Sequence, residues 1–182
     1  MKPEDCTLFS GAAPGAEAAF GAVAERRGIE EVNFSFEGRK IARQRGLRVL
    51  TSAELQRGDV SIAYVSRLMH RRYPDTPLFR KVLQTIWHQV TNGQDVFVVG
   101  KINPDGTVTG GTGIGAELAK LFNKRLHVFD QEQHAWFGWT GDGWERAGEP
   151  VIAHPRITGT GTRFLADDGS AAIDALFART FG

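Results

Sequence analysis

The segment from residue 95 to residue 130 limits the possible folds of this chain more than any other. It reads DVFVVGKINPDGTVTGGTGIGAELAKLFNKRLHVFD: an apolar run, a glycine cluster opening a helix-like stretch, then a second apolar run. The runs 96–99 and 126–129 have the length and β-branched content of buried strands. Between them, Leu118, Ala119, Leu121 and Phe122 give the stretch 116–123 one packed helical face. Strand, glycine turn, helix and strand within about thirty residues form a βαβ unit. Such a unit exposes the N-terminus of its helix at the carboxyl edge of the sheet, where unpaired N–H groups and the helix dipole attract an anion.

The N-terminus repeats the arrangement. Thr7-Leu8-Phe9 is a short apolar run, followed by Ser10-Gly11-Ala12-Ala13-Pro14-Gly15-Ala16-Glu17 and an alanine-rich stretch, 18–27. Gly28 sits where a helix C-cap belongs, and 32–36 reads as the next strand. If both strands lie centrally in one parallel sheet, the two turns face one cleft, the usual place for a ligand in open α/β sheets. Neither turn has the G-x-G-x-x-G spacing of a dinucleotide fingerprint, and no Walker lysine follows either. Glycine in such turns also serves simply to reverse the chain. Glu17 and Glu117 each lie one turn into the following helix, and the Gly/Thr loop 158–163 is a candidate third wall.

At 182 residues the chain is expected to form a single domain, 1–182, with a substantial core. No apolar run reaches the eighteen residues of a membrane span, and no signal-peptide core opens the chain. With one cysteine, Cys6, placed as a structural residue, the expected location is a reducing cytoplasm. The five histidines are scattered, so no metal site is expected and no cofactor is assigned. Charge is segregated. Residues 39–81 hold eleven Lys/Arg against three Asp/Glu, about +8; the remainder holds eleven against eighteen, about −7. Such a block is a solvated face, a seat for a phosphate-bearing ligand, or a nucleic-acid surface. Only Tyr64, Tyr73 and Phe79 interleave it, which favours a small anion over nucleic acid.

Elsewhere the pattern predicts helices at 53–70, capped by Ser52, and at 77–90, broken apart at 73–77. Trp87 falls on the apolar face of the second helix with Leu83, Ile86 and Val90, and is read as core. The basic stretch 38–51 reads as an excursion or lid, and Asp105-Gly106 as the turn of a small hairpin. Trp136, Trp139 and Trp144 mark a second hairpin, whose tryptophans either pack over a sheet edge or wall a planar base. A last helix is expected at 170–181.

Several of these segments resemble the SLOG superfamily of Rossmann-like domains, and within it the YpsA-like set of phages and bacteria. Residues 10–17 are similar to its SGGAxGAD motif, with Ala12 for the second glycine and Glu17 for the aspartate. Trp87-His88-Gln89-Val90, Gly110-Gly111-Thr112-Gly113, Val128-Phe129-Asp130-Gln131 with Trp136, and Gly159-Thr160-Gly161-Thr162-Arg163 resemble its RNWxQV, GGTG, VFDQ…W and GIGTR segments. The resemblance implies an α/β, Rossmann-like, doubly wound and mostly parallel sheet with helices on both faces and a small C-terminal β-hairpin. It implies a nucleotide or nucleotide-derived ligand between the two turns, touched by Ser10, Gly11, Ala12, Gly15, Glu17, Gly110, Gly111, Thr112, Gly113, Asp130, Trp136 and Arg163, with Arg39 or Arg43 adding charge.

It also leaves a hydrolase open. LOG enzymes of the same superfamily cleave the N-glycosidic bond of a nucleoside monophosphate with the glutamate of a PGGxGTxxE motif. Residues 109–117 keep its glycines and Glu117, which would then be catalytic, but lose its proline and threonine. DNA binding through 39–81 is the weaker alternative. Members of the superfamily often pair through helices, which implies a homodimer.

Overall fold

The computed structural model describes residues 1–73 and 76–182. Its centre is β4 (Asp95–Gly100), buried along its whole length. It pairs in parallel with β5 (Arg125–Asp130) on one side and β8 (Arg156–Gly161) on the other, Val98 standing between Val128 and Thr160. Successive side chains of β4 point to opposite faces. Val96 and Val98 meet α3 (Asp59–Leu68), α4 (Pro77–Asn92) and α5 (Thr112–Leu121) through Val65, Leu83, Ile86, Ile114 and Leu118. Phe97 and Val99 meet α1 (Ala16–Arg26) and α6 (Asp167–Phe181) through Phe20, Ile173 and Phe177. A strand covered on both faces needs apolar residues at every position, which is why 96–99 shows no alternation.

Outward from this centre run β1 (Thr7–Ser10), β2 (Glu30–Ser35) and the edge strand β3 (Leu47–Val49), with β6 (Ala135–Trp139) and β7 (Trp144–Arg146) beyond β5. The order is β3-β2-β1-β8-β4-β5-β6-β7, and only β6 runs opposite to the rest, antiparallel to both β5 and β7. The chain is therefore α/β, with a mixed but mostly parallel eight-stranded sheet between two helical layers. The chain leaves β1 towards β2 and leaves β4 towards β5, in opposite directions, so the winding reverses between them. The two strands with glycine turns are not neighbours: β8 separates them and carries the Gly/Thr loop to the same edge.

Several boundaries differ from the sequence expectations. The helix expected at 53–70 is two, α2 (Ser52–Gln56) and α3, broken where Gly58 lies against Trp87; a Cβ there would meet the indole at 2.6 Å. The cap is Thr51, not Ser52. Its hydroxyl accepts from the Glu54 N–H while its own N–H donates to the Glu54 carboxylate, a capping box that holds that acid down at about 2. Helices α1, α5 and α6 each start earlier than expected, because their first turns are fixed by neighbouring loops. The stretch 38–51 contains β3 and is bound to the sheet edge. The break at 73–77 includes Pro74 and Asp75, which lie outside the described residues. The hairpin joining β6 to β7 forms as expected, and Ile102 bridges Val108 in the smaller one. Among the described residues, no helix is long and apolar enough to cross a membrane.

One titratable group bears on stability. His127 on β5 stacks on Phe97 with ring centroids 5.4 Å apart, and its buried Nδ1 has no partner among the described residues. Burial, with Arg125 nearby as a lesser cause, lowers its pKa from 6.5 to about 4. Between those values the unfolded chain binds the proton more tightly, so stability falls as pH drops through 6.5 towards 4. The expected loss from this residue is about 2 kcal/mol between pH 7 and pH 5. Urea unfolding at the two pH values measures it, and His127→Phe should remove about that much of the pH dependence.

Candidate functional site

At the carboxyl edge the β1–α1 turn is closed by its own side chains. Ser10 donates to the Gly159 carbonyl at 2.6 Å. A Cβ on Gly11 would lie 2.5 Å from Gln89 and 2.6 Å from Glu17, and one on Gly15, at φ 92°, would lie 2.5 Å from the Arg163 backbone. Ala12 is fully buried and takes a left-handed φ of 57°, which costs about 1–2 kcal/mol for a residue with a Cβ. Its carbonyl accepts from the Ala42 N–H, fastening the excursion over the turn.

Glu17 is the node of this region. Its Oε2 accepts from the Ala13 N–H at 3.0 Å, and its Oε1 from Gln89 at 3.1 Å and Thr160 at 3.2 Å. Arg39, equally buried, stands 3.6 Å from Oε2 and donates to the Phe34 carbonyl and to Thr85. The Ala16 N–H donates to the Thr162 carbonyl. The first turn of α1 thus faces protein acceptors, and Glu17 sits within the packing.

The β4–α5 turn is different. Gly110 is exposed at φ 68°, with no heavy atom within 4 Å of a Cβ placed on it. Gly113 is the packing glycine, since a Cβ would lie 2.2 Å from the Val108 carbonyl. Arg71 donates to that carbonyl at 2.6 Å and Tyr73 to the Gly110 carbonyl at 3.2 Å, so the loop is held from the far side. The N–H groups of Gly110, Gly111 and Thr112 find no acceptor among the described residues. They open the ten-residue helix α5 with the donor array and dipole end suited to an anion.

The β8–α6 loop supplies the opposite wall. Gly161 fits where a Cβ would strike the Val99 carbonyl at 2.4 Å. Beyond it, the Phe164 N–H donates to the Thr162 hydroxyl, and Gln131 clamps the loop by donating to the Phe164 carbonyl and accepting from the Ala166 N–H. This holds Phe164 with 73% of its surface exposed, and the Arg163 guanidinium lies 4.7 Å over its ring. Sequence reading had Arg163 but not Phe164; the one available signal was a lone aromatic directly after the Gly-Thr-Arg run.

Three expected site residues are engaged elsewhere. Asp130 is buried, accepting from the Ile102, Glu132 and Gln133 N–H groups and so fixing the end of β5. Trp136 packs into the core, edge-on to Phe97 and Phe129, and borders the groove between β6 and α6. Glu117 accepts from Lys120 at 2.7 Å, and that lysine lies 3.9 Å over Trp139 and 4.9 Å over Trp144. Of the twelve expected ligand contacts, Gly110 and Arg163 are exposed, and Gly111 and Thr112 are half-buried at the start of α5. Ser10, Gly11, Ala12, Gly15, Glu17 and Gly113 are taken up in the packing between the turns.

A crystal structure named "Putative molybdenum carrier protein", from Syntrophus aciditrophicus SB, is similar to this chain with a TM-score of 0.57 and 14% identity, covering 98% of this chain and 96% of its own. That likeness shows the fold. No family model matches the sequence, and no curated protein matches it. Among the described residues no three His, Cys, Asp or Glu side chains cluster as metal ligands. Two grooves are present, of about 360 Å³ between α2 and α4 and about 490 Å³ between β6 and α6, the second reaching Phe129, His134 and Asp168.

Removing the Glu17 charge leaves Arg39 buried without its counter-ion. Glu17→Gln is expected to cost about 3–5 kcal/mol in urea unfolding. Adding Arg39→Met should recover part of that loss, a non-additivity read from the double-mutant cycle.

Proposed function

We propose that this protein binds a nucleotide or nucleotide-derived ligand at the carboxyl edge of β4. The phosphate lies on the N–H groups that open α5, and the base lies against Phe164 and Arg163. The observation that carries this reading is the contrast between the two turns. The α1 turn is filled by Glu17, whereas the α5 turn keeps three N–H groups without a protein acceptor and an exposed glycine before them. Arg163 adds charge suited to a phosphate, and an aromatic face in a held loop suits a planar base.

Binding without turnover is the reading favoured. Glu117 is the carboxylate a phosphoribohydrolase would use, and it is tied to Lys120 beneath the tryptophan hairpin. The similar structure is named as a carrier, a role of holding and releasing, which accords with this reading. The SLOG resemblance points to the same edge of the sheet.

Thermal shifts with AMP, adenosine and ribose 5-phosphate test the assignment. A ligand at a hundred times its Kd stabilises by about 2.7 kcal/mol. Gly111→Asp, with its Cβ beside Phe79 and Leu83, adds a negative charge at the N-cap of α5. It is expected to abolish binding while leaving the fold as stable or up to about 1 kcal/mol more so, since an acid suits a helix N-terminus. Undiminished AMP binding by that variant would overturn the site. Phe164→Ala is expected to weaken AMP by about 1–3 kcal/mol and to leave ribose 5-phosphate unchanged.

A further inference from the structure

Helix α6 shares a core with Phe97, Val99 and Phe129 through Ile173, Leu176 and Phe177, but leaves a trough beside β6. The side of α6 along that trough reads Asp168, Ala171, Ala172, Ala175 and Arg179, positions that fall on one face of a helix. Alanines there leave open what a leucine would fill. The resulting groove holds about 490 Å³, within the range of small-molecule sites. From Asp168 to Arg179 the helix runs about 16 Å. Phe129 and Trp136, both buried, form the floor.

The polar groups at one end are donors without a settled partner. Trp136 is only 5% exposed, and it borders the groove. Its indole N–H finds no acceptor among the described residues, whereas that of Trp144 donates to the Gly106 carbonyl. The Ala147 N–H donates to the Trp136 carbonyl, which brings Arg146 alongside. Arg146 is exposed and makes no ion pair among the described residues. Arg179 is aimed by a bond from its Nε to the Pro150 carbonyl, and the acid facing it, Glu149, is 3.9 Å away and largely exposed. At the other end Asp168 is already matched, 2.5 Å from His134 Nδ1 and accepting from the Gly169 N–H.

We propose that this groove binds a flat aromatic carboxylate. The ring lies between the alanines of α6 and the Trp136 floor, and Arg146 and Arg179 take the carboxylate, with the indole N–H as a further donor. Guanidinium forks match carboxylate oxygens in pairs. Glu149 offsets one of the two cations, so that end carries about one net positive charge, which suits a monoanion better than a phosphate monoester. A wall of alanines opposite an aromatic floor is a slot, and a flat ring fills a slot better than a branched or flexible chain. No residue of the groove belongs to the opening turn of α5, so this inference is independent of the nucleotide reading.

The probe is 2-naphthoate, titrated into the full chain and followed by heteronuclear NMR of the tryptophan side chains. The Trp136 indole signal, identified by its loss in Trp136→Phe, should move with a Kd of about 1 mM, ordinary efficiency for a ligand of that size. Arg146→Ala, at an exposed position, should raise the Kd about tenfold. Ala171→Leu, also exposed, should abolish binding by filling the slot while leaving AMP binding unchanged. Gly111→Asp should bind 2-naphthoate as the wild type does, so the two sites fail separately. Decanoate should bind more weakly than 2-naphthoate, and 2-naphthyl phosphate no more tightly. A Trp136 signal that stays fixed up to about 10 mM 2-naphthoate, or a Kd indifferent to Ala171→Leu, overturns the site. A Kd indifferent to Arg146→Ala, or tighter binding of the phosphate or of decanoate, overturns the ligand class.

Discussion

The buried carboxylate of Glu17 ties together four parts of the chain. Its donors come from the β1–α1 turn, from α4, from β8 and from the excursion between β2 and β3. A carboxylate removed from water is costly unless each of these arrives. The turn, the helix, the strand and the excursion therefore have to assemble together or not at all. Replacing such a pair with apolar groups often leaves stability unchanged or higher, so its value here is placement. Glu17 and Arg39 fix where the excursion crosses the sheet edge, and Ala42 completes the fastening through the Ala12 carbonyl.

This explains why two similar turns behave differently. A helix N-terminus attracts negative charge, and at α1 the protein supplies that charge from its own first turn. An external phosphate there would have to displace a carboxylate already bonded to a backbone N–H. At α5 the corresponding glutamate, Glu117, lies further along the helix and faces Lys120, so the first turn keeps its N–H groups without a carboxylate of its own. Gly15 and Gly161 then have a shared purpose: they let the β1 and β8 loops meet in close contact.

Much of this was legible in the sequence, and the exceptions have physical causes. The unbroken apolar run at 96–99, and the paired glycine turns, identified the central strands because burial on both faces leaves no alternative composition. The switch of direction followed from two βαβ units in one sheet. The position of β8 between β1 and β4 did not, since strand order depends on long-range pairing that local periodicity does not encode. The packing of Trp136 was hidden for a related reason. A tryptophan beside a strand end looks alike whether it faces a ligand or the core, and only the register of β6 on β5, Trp136 opposite Phe129, turns it inward. Gly58 is a further case, because its effect on the helix at 53–70 depends on Trp87, far along the chain.

The segregation of charge along the chain has a related explanation. In sequence, the block 39–81 looks like an electrostatic footprint awaiting an external polyanion. In the fold, Arg39 meets Glu17, Arg43 meets Glu25 and Glu31, and Arg45 meets Glu31, acids that all precede the block. Arg48 and Arg80 meet Glu54 and Asp59 within it. A nucleic-acid surface needs a row of cations free to replace counter-ions on phosphates, and the arginines of 39–45 instead neutralise carboxylates, one of them the fully buried Glu31. Opposite charges kept apart in sequence and matched in space direct the excursion to one position on the edge of the sheet. The arginines of 39–45 thus serve the fold, holding the excursion against the acids that precede it.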